Sequence, residues 1–297
     1  MASTPEAAPR QAQRQPGHDP ASLAAKVAAP RNRVGAYEPL VDYVLRLGDD
    51  ALILSQRLVD WVAKSPVIEE DIALANIALD LLGQARMLLT YAGSQLPEPK
   101  SEDDLAYWRQ SAQFRCAHLV EIPGGDFART MARQLVFSTY QQLLYSQLET
   151  STDATIAAIA AKASKEVRYH VDHATKWVLR LGDGTEESHG RMQAGIDAVW
   201  PYTAELFDAD AGVTPYATDR TDQALQPLIT DGICPDPAML QAPWQEAVVA
   251  VLETATLTIP QTRWHARGGR TGIHTAHLDY VLAEMQTVAR AHPGAAW

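Results

Sequence analysis

The segment that decides the fold is EEDIALANIALDLLGQARMLLTYA, residues 69–92. Apolar side chains fall on almost every side of a helix built from this segment, which predicts a long, central and mostly buried helix. Three acidic residues at its start suit the positive end of the helix dipole. Its polar residues Asn76, Asp80 and Gln84 recur every four positions, so they form a single stripe.

Helical periodicity continues on both sides of this segment, and almost no β-alternation occurs. Pro39 is expected to open a helix to about Lys64, with Asp49 in a solvated sector and Leu45, Leu52, Val59 and Val62 opposite. The sequence therefore predicts an all-α antiparallel helix bundle with additional C-terminal helices, formed by one domain over residues 36–297. The other predicted helices are 101–118, 126–149, 152–181, 185–207, 244–256 and 274–291.

Residues 1–35 differ in composition from the remainder of the chain. They are rich in Ala, Pro, Gln and Arg and contain no aromatic residue. Such a segment buries too little apolar surface to fold, which favours a disordered tail. An amphipathic targeting peptide is the alternative, and prolines and acidic residues weigh against it.

Composition excludes several classes of function. The chain of 297 residues has a formal net charge of −11 and contains no block of basic residues, which argues against nucleic acid or an anionic membrane as the main partner. No apolar run approaches the roughly 18 residues of a membrane span. The two cysteines, Cys116 and Cys234, lie far apart, so a disulfide framework or a cysteine zinc site is not expected. A reducing cytoplasm is the expected compartment.

Two short motifs are similar to metal-binding motifs of helix bundles but lack ligands. A carboxylate-bridged di-iron site needs about four carboxylates and two histidines, with Glu-x-x-His on two helices. Here Glu166 is followed three residues later by Tyr169 and only then by His170, whereas Asp80 is followed three residues later by Gly83. The chain therefore has the expected scaffold without a complete ligand set.

The predicted helix over residues 126–149, the third long helix of the bundle, strengthens this conclusion. Between Asp126 and Glu149 it contains no acidic residue, and these two acids lie roughly 36 Å apart along the helix. The first three long helices also supply no core histidine. We therefore predict no catalytic residue, no bound metal and no cofactor in this chain, and interpret four residues as degenerate di-iron positions: Asp50, Asp80, Glu166 and His170.

Two interpretations of these four positions remain open. In one, they are the atypical ligands of an autonomous di-iron or mono-iron oxygenase. In the other they are structural, with Glu166 paired to Arg86 or an amide and His170 hydrogen-bonded to Asp80 or a tyrosine. Hydrogen-bonded polar groups would then fill the volume of the lost site. The candidates for this are Asn76, Asp80, Gln84, Gln142, Glu166 and His170.

Two further motifs lie near the C-terminus. His274 and His277 share a helix face, but a single His-x-x-His pair is weak evidence for a metal site. The segment from Arg263 to Arg270 combines three arginines with glycines in an otherwise acidic chain. It could bind a phosphate-bearing ligand, the substrate or an acidic partner surface, or be a solvated connector.

Four stretches of the sequence carry a resemblance to a known family. They are residues 44–89, 160–188, 204–210 and 268–286, beginning VLRLGDD, AAKASKE, AELFDAD and GGRTGIH. They closely resemble the C subunits of phenylacetyl-CoA epoxidases, the multicomponent monooxygenases of aerobic phenylacetate degradation. The resemblance runs from about Tyr37 to Trp297. It implies a ferritin-like fold, and it implies that Glu166 and His170 are remnants of a ligand set.

The resemblance also implies partners. A related catalytic A subunit would carry the di-iron site and the CoA-ester pocket, and other subunits of the complex would join it. The chain itself would be a non-catalytic structural subunit, with iron expected only in the partner. Candidate contacts are the aromatic residues Trp61, Tyr91, Trp108 and Trp200. A ferritin-like ligand-binding module is a further alternative.

Overall fold

The computed structural model describes residues 37–208 and 225–295. Within these ranges the chain is helical and has no β-strand, which confirms the predicted all-α helix bundle. The predicted tail, residues 1–35, lies outside the described residues. The α-helices are α1 (Pro39–Val59), α2 (Ile68–Ser94), α3 (Glu102–Tyr107), α4 (His118–Glu121), α5 (Phe127–Leu148), α6 (Ala154–Gly182), α7 (Glu186–Val199), α8 (Gln226–Thr230), α9 (Gln241–Thr254) and α10 (Ala276–Ala291).

Four long helices form the bundle as two helical hairpins. α1 packs most extensively on α2, and α5 on α6, each across a short connection that makes the two helices antiparallel neighbours. α2 also contacts α6, which joins the two hairpins. α7 packs along α5, and the C-terminal α10 contacts α1, α3 and α4. The core is a continuous set of buried aliphatic and aromatic side chains between these helices.

Side-chain caps fix several helix starts where the sequence predicts them. Asp126 accepts a hydrogen bond from the Arg129 amide at 2.9 Å, and Asp153 caps α6 in the same way. α7 ends at Val199, earlier than predicted, because Pro201 cannot donate a backbone hydrogen bond to continue it. The chain continues there as two short 3-10 turns.

α1 differs from its prediction in both length and exposure. It ends at Val59 rather than near Lys64. Asp49, predicted to be solvated, is completely buried. Val59 and Val62, predicted on the apolar face, are instead about half exposed. The polar sector of α1 therefore faces other protein groups, because arginines from elsewhere in the chain neutralise its acids.

α2 is not buried on all sides, contrary to the prediction. Its outer face exposes Ile68, Ile72 (57%) and Leu79 (62%). The helix is long and apolar enough, by length and composition alone, to cross a membrane, and half of its most apolar window is buried in the protein. Core helices of soluble proteins share these properties, so the observation is weak evidence for a membrane span.

Candidate functional site

His170 and Asp80, two of the degenerate positions, form a direct pair between α6 and α2. His170 Nε2 lies 3.0 Å from Asp80 Oδ2. The imidazole is buried, whereas about a third of the Asp80 side chain is exposed. The pair therefore lies at the edge of the bundle, and it agrees with the structural interpretation in which His170 is hydrogen-bonded to Asp80.

Glu166 also has protein partners. Its Oε2 accepts a hydrogen bond from Gln84 Nε2 at 3.1 Å, and Lys162 Nζ lies 3.7 Å from Oε1. The Tyr145 hydroxyl in turn donates to Gln84 Oε1 at 3.2 Å. The amide partner is as predicted. The alternative partner, Arg86, binds Glu102 instead.

The polar groups expected to fill the lost site therefore do so only in part. Asp80, Gln84, Glu166 and His170 are hydrogen-bonded between α2 and α6. Asn76 is exposed on the outer face of α2, so its predicted role in the bundle interior is wrong. α5 has no carboxylate between Asp126 and Glu149, and its buried polar residues include Gln134 and Gln141 instead.

Asp50 is neutralised by an arginine from the C-terminal part of the chain. Its two carboxylate oxygens accept hydrogen bonds from Arg270 Nη1 and Nη2, each at 2.8 Å, and Oδ1 also accepts a hydrogen bond from the Ala117 amide at 2.8 Å. Arg270 is only 5% exposed. Burial raises the pKa of Asp50, although the Arg270 charge and its hydrogen bonds oppose this shift. Burial alone would lower the pKa of Arg270, but the nearby carboxylate outweighs this effect and raises it.

This pairing corrects the predictions for the Arg263–Arg270 segment. Arg263 and Arg267 are exposed, but Arg270 is buried against Asp50 and is not free to bind a phosphate, the substrate or a partner. The two ends of this segment thus have different environments.

Asp49 has a buried partner that the sequence analysis missed. It forms a salt bridge with Arg109, whose Nη1 lies 2.9 Å from Oδ2, and accepts a hydrogen bond from the Arg115 amide at 2.8 Å. The Arg115 side chain also binds Asp42 at 2.9 Å. Arginines from the connecting segments thus balance the acids of α1.

The four degenerate positions do not assemble into a metal site. In one cluster of the described residues, three histidine, cysteine or acidic side chains bring their ligand atoms within 4.8 Å of one another. This cluster includes none of the four degenerate positions, and the described residues contain no other cluster of this kind. Guanidinium, amide and imidazole partners already bind the carboxylates. The residues present therefore do not fit a di-iron centre, and we derive no reaction step through iron.

A surface groove of about 640 Å³ lies next to Gly83, the position that lacks the histidine. Its cationic residues Arg86 and Lys162 each lie beside an acidic side chain, Glu102 and Glu166 respectively. This pairing leaves little unbalanced positive charge for an anionic ligand.

Comparison with known proteins gives the family of this bundle. The model of the family described as "Phenylacetic acid catabolic protein" matches residues 27–297. The chain belongs to this family. It is also 46% identical, over 258 residues, to the C subunit of the 1,2-phenylacetyl-CoA epoxidase of Escherichia coli (strain K12). That alignment covers 87% of this chain and 99% of the relative.

Membership of the phenylacetic acid catabolic protein family confirms the resemblance inferred from the four sequence stretches. The relative is named as one subunit of an epoxidase, so that enzyme has other subunits.

Proposed function

We propose that this chain is a non-catalytic structural subunit of a multicomponent phenylacetyl-CoA epoxidase in aerobic phenylacetate catabolism. In this proposal it binds a catalytic A subunit that carries the di-iron site, and it stabilises that subunit's fold. It contributes no catalytic residue and holds no redox-active iron. The similarity to the C subunit of an epoxidase supports the pathway and the existence of partners.

The observation that carries the proposal is the pairing of Asp50 with Arg270. A di-iron centre needs carboxylates whose negative charge is free to balance the metal ions. Here a guanidinium occupies both oxygens of Asp50. Binding iron at that position would require displacement of a buried, bidentate arginine, at a cost of several kcal/mol.

The outer face of α2 is the surface that we propose contacts the A subunit. Ile68, Ile72 and Leu79 fall within about 40° of one another around the helix, at 100° per residue. Val62 and Val67 add exposed apolar side chains just before this helix. Stable interfaces between subunits are large and more apolar than ordinary surfaces.

The aromatic residues proposed as contacts from the sequence are less suited to this role. Trp61, Tyr91 and Trp200 are partly buried and pack against the core. Trp108 is the exception, with about half of its surface exposed. It remains a candidate contact in addition to the α2 face.

We also propose a cytoplasmic location. Cys116 and Cys234 are both unpaired thiols. Proteins of a reducing compartment commonly keep their cysteines in this state.

Co-expression with the A subunit tests the proposal. The chain is expected to co-purify with that subunit, and Ile72→Glu combined with Leu79→Glu is expected to abolish co-purification, because two charges would be buried at the interface. Met239→Glu is the control, since Met239 is an even more exposed apolar side chain that lies outside α2. Circular dichroism of each variant checks that the bundle is intact.

Two results would count against the proposal. If the wild-type chain elutes alone, the proposed binding to the A subunit is wrong. If the double variant still co-purifies, the α2 face is not the contact surface, although the chain still binds the A subunit.

A further inference from the structure

A cluster of metal-ligand side chains lies outside the degenerate positions. Cys116, Glu121 and His274 place one ligand atom each within 4.8 Å of the others. Cys116 and Glu121 are completely buried, and the His274 side chain is 3% exposed. The first two flank or belong to α4, whereas His274 lies just before α10, so about 150 residues of chain separate the ligands.

Both ring nitrogens of His274 face an acceptor oxygen. Its Nε2 lies 3.1 Å from the Phe114 carbonyl oxygen, which can only accept, so Nε2 carries a hydrogen. Its Nδ1 lies 2.9 Å from Glu121 Oε2. With its hydrogen on Nε2, a neutral imidazole points the lone pair of Nδ1 at the carboxylate, so the two groups face each other as two ligands of one metal ion would.

A divalent cation could lie between these two groups and the Cys116 thiol. The thiol would release its proton, because the thiolate is the form that binds metal. The two positive charges of the cation would then face the negative charges of the Glu121 carboxylate and the Cys116 thiolate. Nδ1, the carboxylate and the thiolate would then all be free to bind the cation.

The surroundings orient these three groups in the way that metal ligands are oriented. The Phe114 carbonyl fixes the ring of His274 through Nε2, and the Thr275 amide donates to Glu121 Oε1 at 2.9 Å. Metal-binding histidines usually donate their second nitrogen to such an acceptor, and metal-binding carboxylates are themselves hydrogen-bonded. His118 lies nearby, but its Nδ1 faces Glu205 at 2.9 Å, and we assign it no bond to the metal.

We propose that Cys116 Sγ, the Glu121 carboxylate and His274 Nδ1 bind one zinc ion, with a water molecule as the fourth ligand. Zinc is the expected metal because it accepts mixed sulfur, nitrogen and oxygen ligands in tetrahedral geometry and has no redox chemistry. The ion would fasten the segment before α10 to α4. This site is separate from the degenerate positions, and it goes beyond the proposed structural function.

Metal titration of the full-length, chelator-treated chain tests the site. Calorimetry is expected to give one zinc ion per chain, and cobalt is expected to produce the absorption band of a cobalt–thiolate bond. Cys116→Ser should abolish the band, and His274→Gln should weaken zinc binding at least tenfold. The matched controls are Cys234→Ser, which removes the other buried thiol, and His277→Gln, which removes an exposed histidine; both should behave as wild type.

X-ray absorption of the zinc-loaded wild type keeps the test decisive if a variant fails to fold. One sulfur at about 2.3 Å, with nitrogen and oxygen ligands at about 2.0–2.2 Å, is expected. Substoichiometric zinc, a metal shell without sulfur, or a cobalt band that depends on Cys234 would overturn the site. None of these outcomes bears on assembly with the A subunit, which the co-purification experiment tests separately.

Discussion

Replacement of Arg270 by methionine tests the charge compensation inside the bundle. The change would leave the Asp50 carboxylate buried with one donor, the Ala117 amide, in place of three hydrogen bonds. Removing one partner of a buried ion pair costs about 3–5 kcal/mol. Asp50→Leu should cost a similar amount, because it strands a guanidinium whose other contacts are backbone carbonyls, that of Arg115 at 3.0 Å among them.

The double variant Asp50→Leu with Arg270→Met shows how much of each single loss comes from the interaction between the two residues. With both charges removed, the main remaining loss is the unpaired Ala117 amide, roughly 1–3 kcal/mol. The coupling energy between the two positions should therefore be about 3 kcal/mol or more, as double-mutant cycles measure it. The corresponding fall in Tm for Arg270→Met alone is roughly 6–20 °C for a chain of this size.

Urea unfolding at pH 7, followed by circular dichroism, measures these free energies. Arg263→Met is the control, because Arg263 lies in the same segment but is exposed, and it should change stability by less than about 0.5 kcal/mol. A loss below about 1 kcal/mol for Arg270→Met would refute the reasoning. So would a double variant whose loss equals the sum of the two single losses.

Three further predictions follow from the structure. Asp80→Ala should lower the free energy of unfolding in urea by about 1–3 kcal/mol, because it leaves His170 Nε2 without its partner. Asp80→Asn keeps an acceptor oxygen and should lower it by less than about 1 kcal/mol. Equal losses for the two variants would contradict this prediction. Gly83→Ala should stabilise the protein by about 0.5–1 kcal/mol, since an added Cβ at this helical position meets no atom within 4 Å. Gly93→Ala should destabilise the protein, because its Cβ would collide with a backbone carbonyl oxygen. A higher Tm for Gly93→Ala than for Gly83→Ala would be inconsistent with this packing. Burial raises the pKa of Cys234 to about 12, so the thiolate fraction of this residue at pH 8 is roughly one in ten thousand and grows only as pH rises. Ellman's reagent should therefore label Cys234 slowly in the folded protein and at once in urea. Rapid labelling of the folded protein would disprove the burial of this thiol.

The sequence predicts helices and their caps well because these depend on local chemistry. Asp126 and Thr185 cap helices at the predicted starts, and Asp153 caps α6 one residue after the predicted start, since their oxygens accept amide hydrogen bonds from the first turn. The pair of His170 and Asp80 was also foreseeable. Both residues lie on the polar stripes of two long helices, and a buried imidazole needs a partner.

The buried arginine pairs could not be predicted in the same way. Asp50 and Arg270 are 220 residues apart, and no pattern near α1 indicates which cation would reach it. One signal was present in the Gly-Gly-Arg-Thr-Gly segment around Arg270. A Cβ at Gly269 would collide with the Cys116 carbonyl, and Gly272 adopts a φ of +81°, so this backbone needs glycine to pass close to the bundle.

The exposed face of α2 was mispredicted for a related reason. An apolar pattern on all sides predicts burial, but it does not distinguish burial in the chain's own core from burial against another subunit. Ile72 and Leu79 lie outside the core of this chain. Their exposure is what the proposed contact with the A subunit requires.

Iron analysis of the purified chain alone tests the central claim most directly. After loading with ferrous iron and removal of excess metal, we predict at most one iron per chain, held at the proposed site of Cys116, Glu121 and His274, and no Mössbauer signal of a coupled iron pair. The A subunit, treated in the same way, serves as the positive control. About two irons per chain with the signal of an oxo-bridged pair would contradict the account, because a di-iron bundle of this class binds that number.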